Sequence, residues 1–301
     1  MKIAITGGTG FIGRQLAQDL IRHGHEVVLI ARGRYTRNVG PIPGAQFTPL
    51  DINNTEQLVA SLRGCDAVVH CAGTSQADKD QTLEQLHVNG ARSVVTAAKQ
   101  AGVRKFVLVS YLNVRPNIPS RYHTTKWEGE QIVRNSGLQA TILKAGLVYG
   151  PGDHLLNNLG SLFRKMPIFA TVGLRERNVR LVAVEDLVAV IRDAVEHDRL
   201  ADATWAVIGP EEFPFSTAAR RIARAMGKPF LLVLPFPVAF QRLLAWFSGK
   251  FMSKPLITQA QVQMLADGIS KPEPDSQALP TDLAPKIYFT EEKIRAGLPP
   301  Y

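Results

Sequence analysis

Tyr122 and Lys126 are four residues apart in the segment Tyr122-His-Thr-Thr-Lys126. Residues at this spacing share one face of a helix, so the lysine ammonium can lie beneath the tyrosine phenol. A neighbouring positive charge lowers the pKa of a phenol, and such a tyrosine can donate or accept a proton during a reaction. Pro119 and Ser120 supply a helix-start signal just upstream. Because a Tyr-x-x-x-Lys pattern also arises by chance, the pair needs a structural context.

The first thirteen residues, MKIAITGGTGFIG, provide that context. They predict a short buried strand, a turn with glycines at three-residue spacing, and a helix. Gly7 can adopt backbone angles forbidden to other residues, Gly10 lets the main chain approach a pyrophosphate, and Gly13 lets the helix pack closely on the strand. The free N–H groups of the helix start then face the phosphate charge. We interpret the segment as a dinucleotide-binding loop; the alternative is an ordinary glycine turn.

The residues after the second predicted strand, His25–Ile30, indicate which dinucleotide binds. Folds that prefer NAD place an acidic residue at this strand end to bind the ribose hydroxyls. This chain instead has Arg32 and Arg34, and Arg14 follows the last glycine of the turn. Guanidinium groups bind a 2′-phosphate through charge-assisted hydrogen bonds, whereas a carboxylate repels it. The pattern favours NADP(H) over NAD; the alternative is a solvated basic loop.

The rest of the first half predicts strands that alternate with helices. Strands are expected at 46–50, 66–70, 105–110 and 140–143, and helices at 13–23, 56–62 and 83–100. This alternation is typical of an α/β, Rossmann-type doubly wound parallel sheet, whose ligand crevice lies at the carboxyl ends of the strands. Tyr122 and Lys126 follow the fifth strand, which places them on the crevice side.

The turn TGGTGFIG resembles the fingerprint of the extended and atypical short-chain dehydrogenase/reductases, the group that includes NAD-dependent epimerase/dehydratase-like proteins. A second set of residues is similar to the branch that contains the NADPH-binding accessory subunit of respiratory complex I and its bacterial relatives. That set comprises Ser110 to Asn113, Ser120 to Tyr122, Lys126, Gly129, Glu130 and Lys144. The resemblance runs from Met1 to about Asp193 and implies tight NADPH binding, although not by itself turnover.

Carried over residue by residue, the resemblance implies a cofactor site along the strand ends. Asp51 and Ile52 would flank the adenine, small residues after the fourth strand would lie against the cofactor, and Asn89 matches an asparagine of the following helix. The implied cofactor-binding residues are Gly7, Thr9, Gly10, Phe11, Ile12, Gly13, Arg14, Arg32, Arg34, Asp51, Ile52, Cys71, Ala72, Gly73, Asn89, Tyr122, Lys126, Lys144, Gly146 and Val148.

The expected catalytic residues are Tyr122, Lys126, Ser110 and Tyr111. Alignment with sugar-nucleotide epimerases places Tyr111 where a serine activates the substrate, with Ser110 one residue earlier, so either hydroxyl could polarise a carbonyl or neither. A further departure lies at residues 143–146, Leu-Lys-Ala-Gly, where relatives usually have Leu-Arg-Pro. The pattern returns from Val148 to Asp153.

The chain is expected to form an NADP(H)-binding core at 1–150 and a small, mostly helical substrate or lid lobe at 151–301, with strands returning to the core sheet at about 178–210. The loop and helix after the sixth strand should cover the nicotinamide. The candidate substrate contacts there are His154, Asn157, Asn158 and Arg164. Asp186 is predicted to be the N-cap of a helix over 187–195.

The apolar run from Phe230 to Phe247 has two interpretations. Prolines and polar residues interrupt it, and it is too short to span a bilayer. It can be a pocket lid or core helix, or an amphipathic contact with a membrane surface, since Arg242, Lys250 and Lys254 flank its apolar residues. The spacing of Thr258 and Gln261 predicts a capping box. Residues 271–285, rich in proline, are expected to be an extended surface linker.

Composition supports one enzyme-sized α/β unit with an appended lobe: the chain has 301 residues, 45% hydrophobic and 20% charged. The formal net charge of +9 fits an anionic cofactor, substrate or membrane surface better than nucleic acid, because the basic residues are spread along the chain.

Two cysteines, Cys65 and Cys71, suit a reducing compartment, and no metal site is expected. The first strand begins at Met1, so no targeting segment is expected, and the cytoplasm is the expected location.

The expected function is therefore an NADP(H)-dependent oxidoreductase, or an epimerase/dehydratase-like enzyme, acting on a small carbonyl, quinone or nucleotide-sugar substrate. The alternative is a non-catalytic NADPH-binding accessory or sensor protein, attached peripherally to a respiratory, complex I-like assembly at the inner face of the membrane. A homodimer is left open. Substrate identity lies beyond the sequence, because the lobe that determines it is where the resemblance fades.

Overall fold

The structure is a computed structural model that describes residues 1–33, 40–75, 81–251 and 258–299, without the side chains of Leu244 and of residues 246–251. The chain divides into two compact units. Unit one comprises Met1–Ala145, Leu187–Ala206 and Glu273–Leu283. Unit two comprises Gly146–Asp186, Val207–Pro272 and Ala284–Tyr301. The sequence-based division predicted a return to the core sheet at about 178–210; Leu187–Ala206 and Glu273–Leu283 belong to unit one.

Unit one is built on a sheet that has eight strands among the described residues. They are β1 (Lys2–Thr6), β2 (Glu26–Ala31), β3 (Ala45–Pro49), β4 (Ala67–His70), β5 (Lys105–Tyr111), β6 (Gln139–Ala145), β11 (Ala203–Val207) and β14 (Gln277–Ala278). Their order is β14-β11-β6-β5-β4-β1-β2-β3. All pairs from β3 across to β6 are parallel, as are β11 and β14.

This strand order confirms the predicted Rossmann-type parallel sheet. From β1 the chain moves to β2 and β3 on one side and then crosses to β4 on the other. The carboxyl ends of β1 and β4 therefore mark the switch point at which such sheets bind their ligands. The helical elements that contribute to unit one are α1 (Phe11–Arg22), α2 (Thr55–Leu62), a π-helical turn (Gln85–Asn89), α3 (Gly90–Gln100), α4 (Arg121–Arg134) and most of α6 (Val184–Glu196).

Unit two consists of short strand pairs and helices. Its strands are β7 (Leu147–Tyr149), β8 (Ile168–Val172), β9 (Asn178–Val179), β10 (Leu181–Ala183), β12 (Phe213–Pro214) and β13 (Leu232–Phe236). They pair as β7 with β10, β8 with β13 and β9 with β12. Its helices are α5 (His154–Lys165), α7 (Phe215–Ala225), α8 (Val238–Phe251), α9 (Gln259–Asp267) and α10 (Glu291–Gly297). The predicted capping box at Thr258 and Gln261 is present.

Two local predictions need correction. The segment 83–100 is not one regular α-helix, because a π-helical turn occupies Gln85–Asn89. Asp186 is not an N-cap, because α6 begins at Val184 and places Asp186 within its first turn. The Asp186 carboxylate instead accepts hydrogen bonds from the backbone N–H groups of Lys286 (3.0 Å) and Ile287 (2.9 Å).

The region expected to be a surface linker contributes to the sheet. Its residues are mostly exposed or half-buried, as predicted, but they include the edge strand β14. Carboxylates from this region also reach basic side chains of unit one: Glu273 lies 2.6 Å from Arg115 and Asp275 lies 2.9 Å from Arg134. Among the helices in the described ranges, none is long and apolar enough to cross a bilayer.

The turn between β1 and α1 can form only with glycine at two positions. Gly7 has a φ of +71°, and a Cβ there would lie 2.7 Å from the backbone nitrogen of Ala72. A Cβ on Gly13 would lie 2.5 Å from the carbonyl oxygen of Gly7 and 2.8 Å from the Cα of Gly8. Because these neighbours are backbone atoms, they cannot give way without a shift of the turn itself or of the chain that follows β4.

Replacing Gly13 with alanine should therefore lower the free energy of unfolding by about 1–3 kcal/mol, the usual cost of overpacking. The matched control is Gly160→Ala in α5, where the nearest atom to the new Cβ is a leucine methyl 3.1 Å away, which can rotate. That variant should be neutral or slightly stabilised, since alanine favours a helix. Urea unfolding followed by circular dichroism measures both, and equal effects in the two variants would contradict the steric argument.

Candidate functional site

One face of α4 carries the predicted catalytic pair. Tyr122, Lys126 and Glu130 are spaced by four residues and therefore lie on the same side of the helix. The Lys126 ammonium donates a hydrogen bond to the carbonyl oxygen of Val109 in β5, at 3.1 Å. Ser120 precedes the helix in an extended conformation, as a helix-start residue should, although its side chain makes no capping bond. This arrangement turns the Tyr122–Lys126 face toward the sheet.

A glycine fixes how closely α4 approaches the π-helical turn. A Cβ on Gly129 would lie 2.5 Å from the carbonyl oxygen of His87, so no other residue fits there without a shift of one backbone. Glycine in a helix interior costs about 1 kcal/mol relative to alanine, which makes an interior glycine a sequence signal for close packing. Here that packing brings His87 to the Tyr122–Lys126 face.

His87 is a site residue that the sequence analysis missed. Its Nδ1 lies 2.9 Å from the Thr125 hydroxyl, and its Nε2 accepts a hydrogen bond from the Thr74 backbone N–H at 3.4 Å. Because Nε2 accepts, the proton of a neutral ring must lie on Nδ1. The Thr125 hydroxyl can accept a hydrogen bond from this N–H because it donates its own hydrogen to the carbonyl of Arg121, at 2.9 Å. The hydrogen bonds of His87 with Thr74 and Thr125 therefore fix the tautomer of the neutral ring that carries its proton on Nδ1.

His87 and Lys126 meet at Gly73, after β4. A Cβ placed on Gly73 would lie 3.7 Å from both His87 Nε2 and Lys126 Nζ. Burial, with a smaller contribution from the Lys126 charge, lowers the pKa of His87 to about 2. The imidazole is therefore neutral at physiological pH. The Tyr122 ring packs edge-on against it, with ring centroids 5.6 Å apart.

The electrostatics of Tyr122 differ from the expectation. The sequence analysis expected Lys126 to lower the phenol pKa, but burial and then the Glu130 charge raise it above the ordinary value. Burial also lowers the pKa of Lys126, against the opposing effects of Glu130 and Cys71. In the protein alone, Tyr122 thus holds its proton. A protonated phenol is the form that can donate to a substrate.

Ser110 and Lys144 form a buried polar cluster with Glu130 instead of lining the crevice. Ser110 Oγ donates to Glu130 at 2.5 Å, and Lys144 Nζ lies 3.3 Å from the same carboxylate. Glu130 and Lys144 are both completely buried. Lys144 also donates to the carbonyl of Val114 at 2.7 Å and to Asp275 at 2.8 Å. Its hydrogen atoms are committed within the protein, so the structure does not present Lys144 to a cofactor.

Tyr111 is the hydroxyl-bearing residue that the structure brings to Tyr122. It ends β5, is buried, and has its ring centroid 6.1 Å from that of Tyr122. Ser110, its neighbour, faces the buried cluster. Of the two residues that the sequence left open, Tyr111 is therefore the one whose ring packs near that of Tyr122.

The start of α1 fits a bound pyrophosphate. Its N-cap is Gly10, in an extended conformation without a capping side chain, and its first turn contains no acidic residue. The N–H groups of such a helix start are available to an anion. A Cβ on Gly10 would meet only the Gly7 carbonyl, at 3.1 Å, so its open side can approach a ligand. Phe11 and Ile12 are half-buried in this first turn, whereas Thr9 is buried.

Other expected cofactor residues follow the strand ends. Cys71, Ala72 and Gly73 continue from β4, and Ile52, after β3, is buried against Gly90 of α3. The Asp51 carboxylate accepts hydrogen bonds from the backbone and side chain of Asn53.

The basic residues near β2 are described only in part. Arg14 donates to the carbonyl of Gly40 at 3.1 Å, and Arg32 is half-buried. Arg34 lies outside the described residues. The structure thus directs Arg14 toward the chain that follows β2, where the 2′-phosphate was expected.

The remaining residues expected at the cofactor belong to the π-helical turn and to unit two. Asn89 ends the π-helical turn with an exposed side chain, and His87, two residues earlier, takes the inward position. Gly146 and Val148 belong to unit two, where a Cβ on Gly146 would lie 2.8 Å from the carbonyl of Arg180.

The candidate substrate residues lie on α5 of unit two. His154 and Asn158 are exposed and Asn157 is half-buried. Arg164 donates to the carbonyl of Pro299 at 2.8 Å, a contact that attaches α5 to the C-terminal residues.

Comparison with known proteins agrees with this geometry. Residues 7–154 match a family described as NAD(P)H-binding. The chain is similar to the mitochondrial 40 kDa subunit of NADH-ubiquinone oxidoreductase from Neurospora crassa, with 26% identity over 98% of this chain and 81% of the relative. It is also similar to ceramide reductase from Caulobacter vibrioides, with 29% identity over 78% of this chain and 74% of that enzyme.

The fold has close counterparts among solved structures. UDP-glucuronic acid 4-epimerase from Bacillus cereus, in complex with NAD, superposes with a TM-score of 0.72 and 20% identity, over 98% of this chain and 97% of that one. At this identity the likeness concerns the fold. Together with the glycine turn, the parallel sheet and the NAD(P)H-binding match, it supports the resemblance seen in the sequence: residues 7–154 form an NAD(P)H-binding domain, and the chain is similar to the extended short-chain dehydrogenase/reductases.

Proposed function

We propose that this protein is an NADP(H)-dependent oxidoreductase in which Tyr122 exchanges a proton with a small carbonyl, quinone or nucleotide-sugar substrate. The observation that carries the proposal is the single face of α4 on which Tyr122 and Lys126 lie, packed on β5 and beside Gly73 at the end of β4. The names of the relatives, a ceramide reductase and a sugar-nucleotide epimerase, support substrates that carry a carbonyl or an oxidisable hydroxyl.

In the reducing direction, a bound nicotinamide would supply hydride to the carbonyl carbon. Tyr122 donates its proton to the carbonyl oxygen, so that a hydroxyl forms and a phenolate remains. The Lys126 ammonium stabilises that phenolate and can reach ribose hydroxyls of the cofactor. His87 accepts from Thr74 and so orients the chain after β4 against Lys126. Tyr111, beside Tyr122, is the candidate second donor to the substrate oxygen.

We further propose that the cofactor is NADPH in preference to NADH. The described end of β2 offers Arg32 and no carboxylate, and Arg14 reaches across to the carbonyl of Gly40. A 2′-phosphate at this point would gain charge-assisted hydrogen bonds.

A second candidate function is a structural NADPH-binding role in a larger assembly. Two observations favour it. The N. crassa relative is a subunit of NADH-ubiquinone oxidoreductase and matches nearly the whole chain. In addition, the Ser110 hydroxyl donates to Glu130, and the pKa of Tyr122 is raised above its ordinary value. The Tyr122–Lys126 face therefore has fewer hydroxyl groups activated for catalysis than the sequence suggested. Turnover separates the two candidates.

The Tyr122→Phe variant should bind NADPH normally and lose NADPH oxidation about 100-fold or more, the usual contribution of a positioned acid. The assay follows NADPH absorbance with a panel of quinones, aldehydes, ketones and nucleotide sugars. Tyr288→Phe, at an exposed tyrosine, is the matched control. Undiminished turnover by Tyr122→Phe would remove Tyr122 from the mechanism. Tight NADPH binding without turnover by either the variant or the wild type would favour the structural role.

Replacing Arg32 with aspartate should weaken NADPH binding at least about 10-fold while NADH binding is retained or improved, since the carboxylate repels a 2′-phosphate and accepts from ribose hydroxyls. Arg63→Asp makes the same change of charge at an exposed position after α2 and should leave the ratio of the two affinities unchanged. Fluorescence titration with both nucleotides measures this ratio. An identical change of the affinity ratio in both variants would mean that it comes from the net charge of the protein and not from a contact of Arg32 with the 2′-phosphate.

The neutral state of His87 has a consequence for stability. Its pKa is lowered in the folded protein, so the unfolded chain binds more protons as the pH falls below the ordinary histidine pKa of about 6.5. The contribution of His87 is therefore complete above that pKa and is lost on acidification, by about 2 kcal/mol between pH 7 and 5.

In His87→Asn, the free energy of unfolding should depend less steeply on pH over this range, by that amount, even if its value at pH 7 is lower. Gln100→Asn, at an exposed position without a titratable group, should keep the slope of the wild type. Urea denaturation at a series of pH values provides the slopes. A slope in His87→Asn equal to that of the wild type would show that His87 is not buried in its neutral form.

A further inference from the structure

Two large apolar side chains in the described part of α8 are exposed to solvent. Phe240 and Leu243, three residues apart on one face, are 49% and 53% exposed. Gln241 and Ala245, on another face, are buried, and Gln241 donates to the carbonyl of Thr171 at 3.3 Å. A surface helix of a globular protein normally has the opposite orientation, with its large apolar residues inside. The exposed side of α8 therefore has the character of a binding surface.

The paired strands β8 and β13 extend this apolar surface. Their register places Leu232 opposite Ile168 and Leu234 opposite Ala170, and all four side chains are exposed on the same face of the ribbon. Phe230, just before β13, is 67% exposed. The ring of Phe240 stacks on Phe236 at the end of β13, with centroids 5.2 Å apart, so helix and ribbon form one surface. We call Ile168, Phe230, Leu232, Leu234, Phe240 and Leu243 the apolar face.

The charge of the surrounding chain indicates what covers this face. Residues 213–266 contain seven arginines and lysines and no aspartate or glutamate, in a chain whose net charge is +9. In the sequence, Arg242 lies between Phe240 and Leu243, and Lys165 precedes β8; both basic side chains are exposed. Exposed apolar side chains beside exposed basic residues match a surface of acyl chains beneath anionic headgroups.

We propose that the apolar face docks unit two on an anionic phospholipid bilayer, with Phe230, Phe240 and Leu243 inserted at the headgroup boundary and the exposed Lys165 and Arg242 in contact with the headgroups. A protein partner would more often present carboxylates or an apolar groove to such a face, whereas a fluid bilayer needs no matching shape. The proposal goes beyond the proposed function and depends on residues of unit two only.

Sedimentation of the full-length protein with phosphatidylcholine vesicles, with and without phosphatidylglycerol, tests it. The wild type should bind the anionic vesicles, more weakly as salt is added. Phe230→Asp and Phe240→Asp should each weaken the partition about 10-fold or more, because each loses buried apolar area and gains a charge that the headgroups repel. Tyr288→Asp, at a tyrosine that is 56% exposed and outside the apolar face, makes the same change of charge and should bind like the wild type.

Other outcomes overturn the proposal. These are absence of wild-type binding at low salt, equal loss in all three variants, or light scattering that shows the wild type as a dimer and the two phenylalanine variants as monomers without lipid. The last result would assign the face to a second copy of the chain. NADPH binding, measured in the same samples, keeps this test separate from the proposed function, because the variants lie outside the residues assigned to the cofactor.

Discussion

Glu130 and Lys144 are completely buried and only 3.3 Å apart, and they join Arg134 and Asp275 in one network of charged side chains inside unit one. Losing one partner of such a pair typically costs about 3–5 kcal/mol. The pair ties α4 to β6, and the contact of Gly129 with the carbonyl of His87 ties α4 to the π-helical turn. These two constraints set the rotation and depth of α4. The position of Tyr122, two turns before Glu130, follows from them.

The same constraints explain the protonation states of the site. Close packing removes water from Tyr122 and His87, and burial therefore keeps the phenol protonated and the imidazole neutral. Lys126 lies near His87 beside Gly73, and its side chain donates a hydrogen bond to the carbonyl of Val109. In the proposed reaction, this face transfers a proton once a substrate and a nicotinamide are present. The buried cluster of Ser110, Glu130 and Lys144 supports this face from inside unit one.

The sequence predicted those parts of the fold that depend on local chemistry. The glycine turn, the parallel sheet and the helix that carries Tyr122 follow from residue type and spacing, because each depends on the backbone preferences of residues that are close in sequence. The role of His87 could not be predicted, since a π-helical turn rotates the side chains out of the ordinary helical period and exposes Asn89 instead. Lys144 was expected at the cofactor because the expectation came from resemblance. Its carboxylate partner Asp275 lies 131 residues away, and no spacing rule connects them.

The central claim is that the Tyr122–Lys126 face binds the nicotinamide end of NADP(H). A crystal structure of the complex with NADPH tests it most directly. The account predicts the pyrophosphate at the start of α1, the nicotinamide ribose within hydrogen-bonding distance of Lys126, and the nicotinamide ring beside Tyr122, with Lys144 still paired to Glu130. A nucleotide whose nicotinamide end lies away from α4, or a Lys144 that leaves its carboxylates to bind the cofactor, would contradict it.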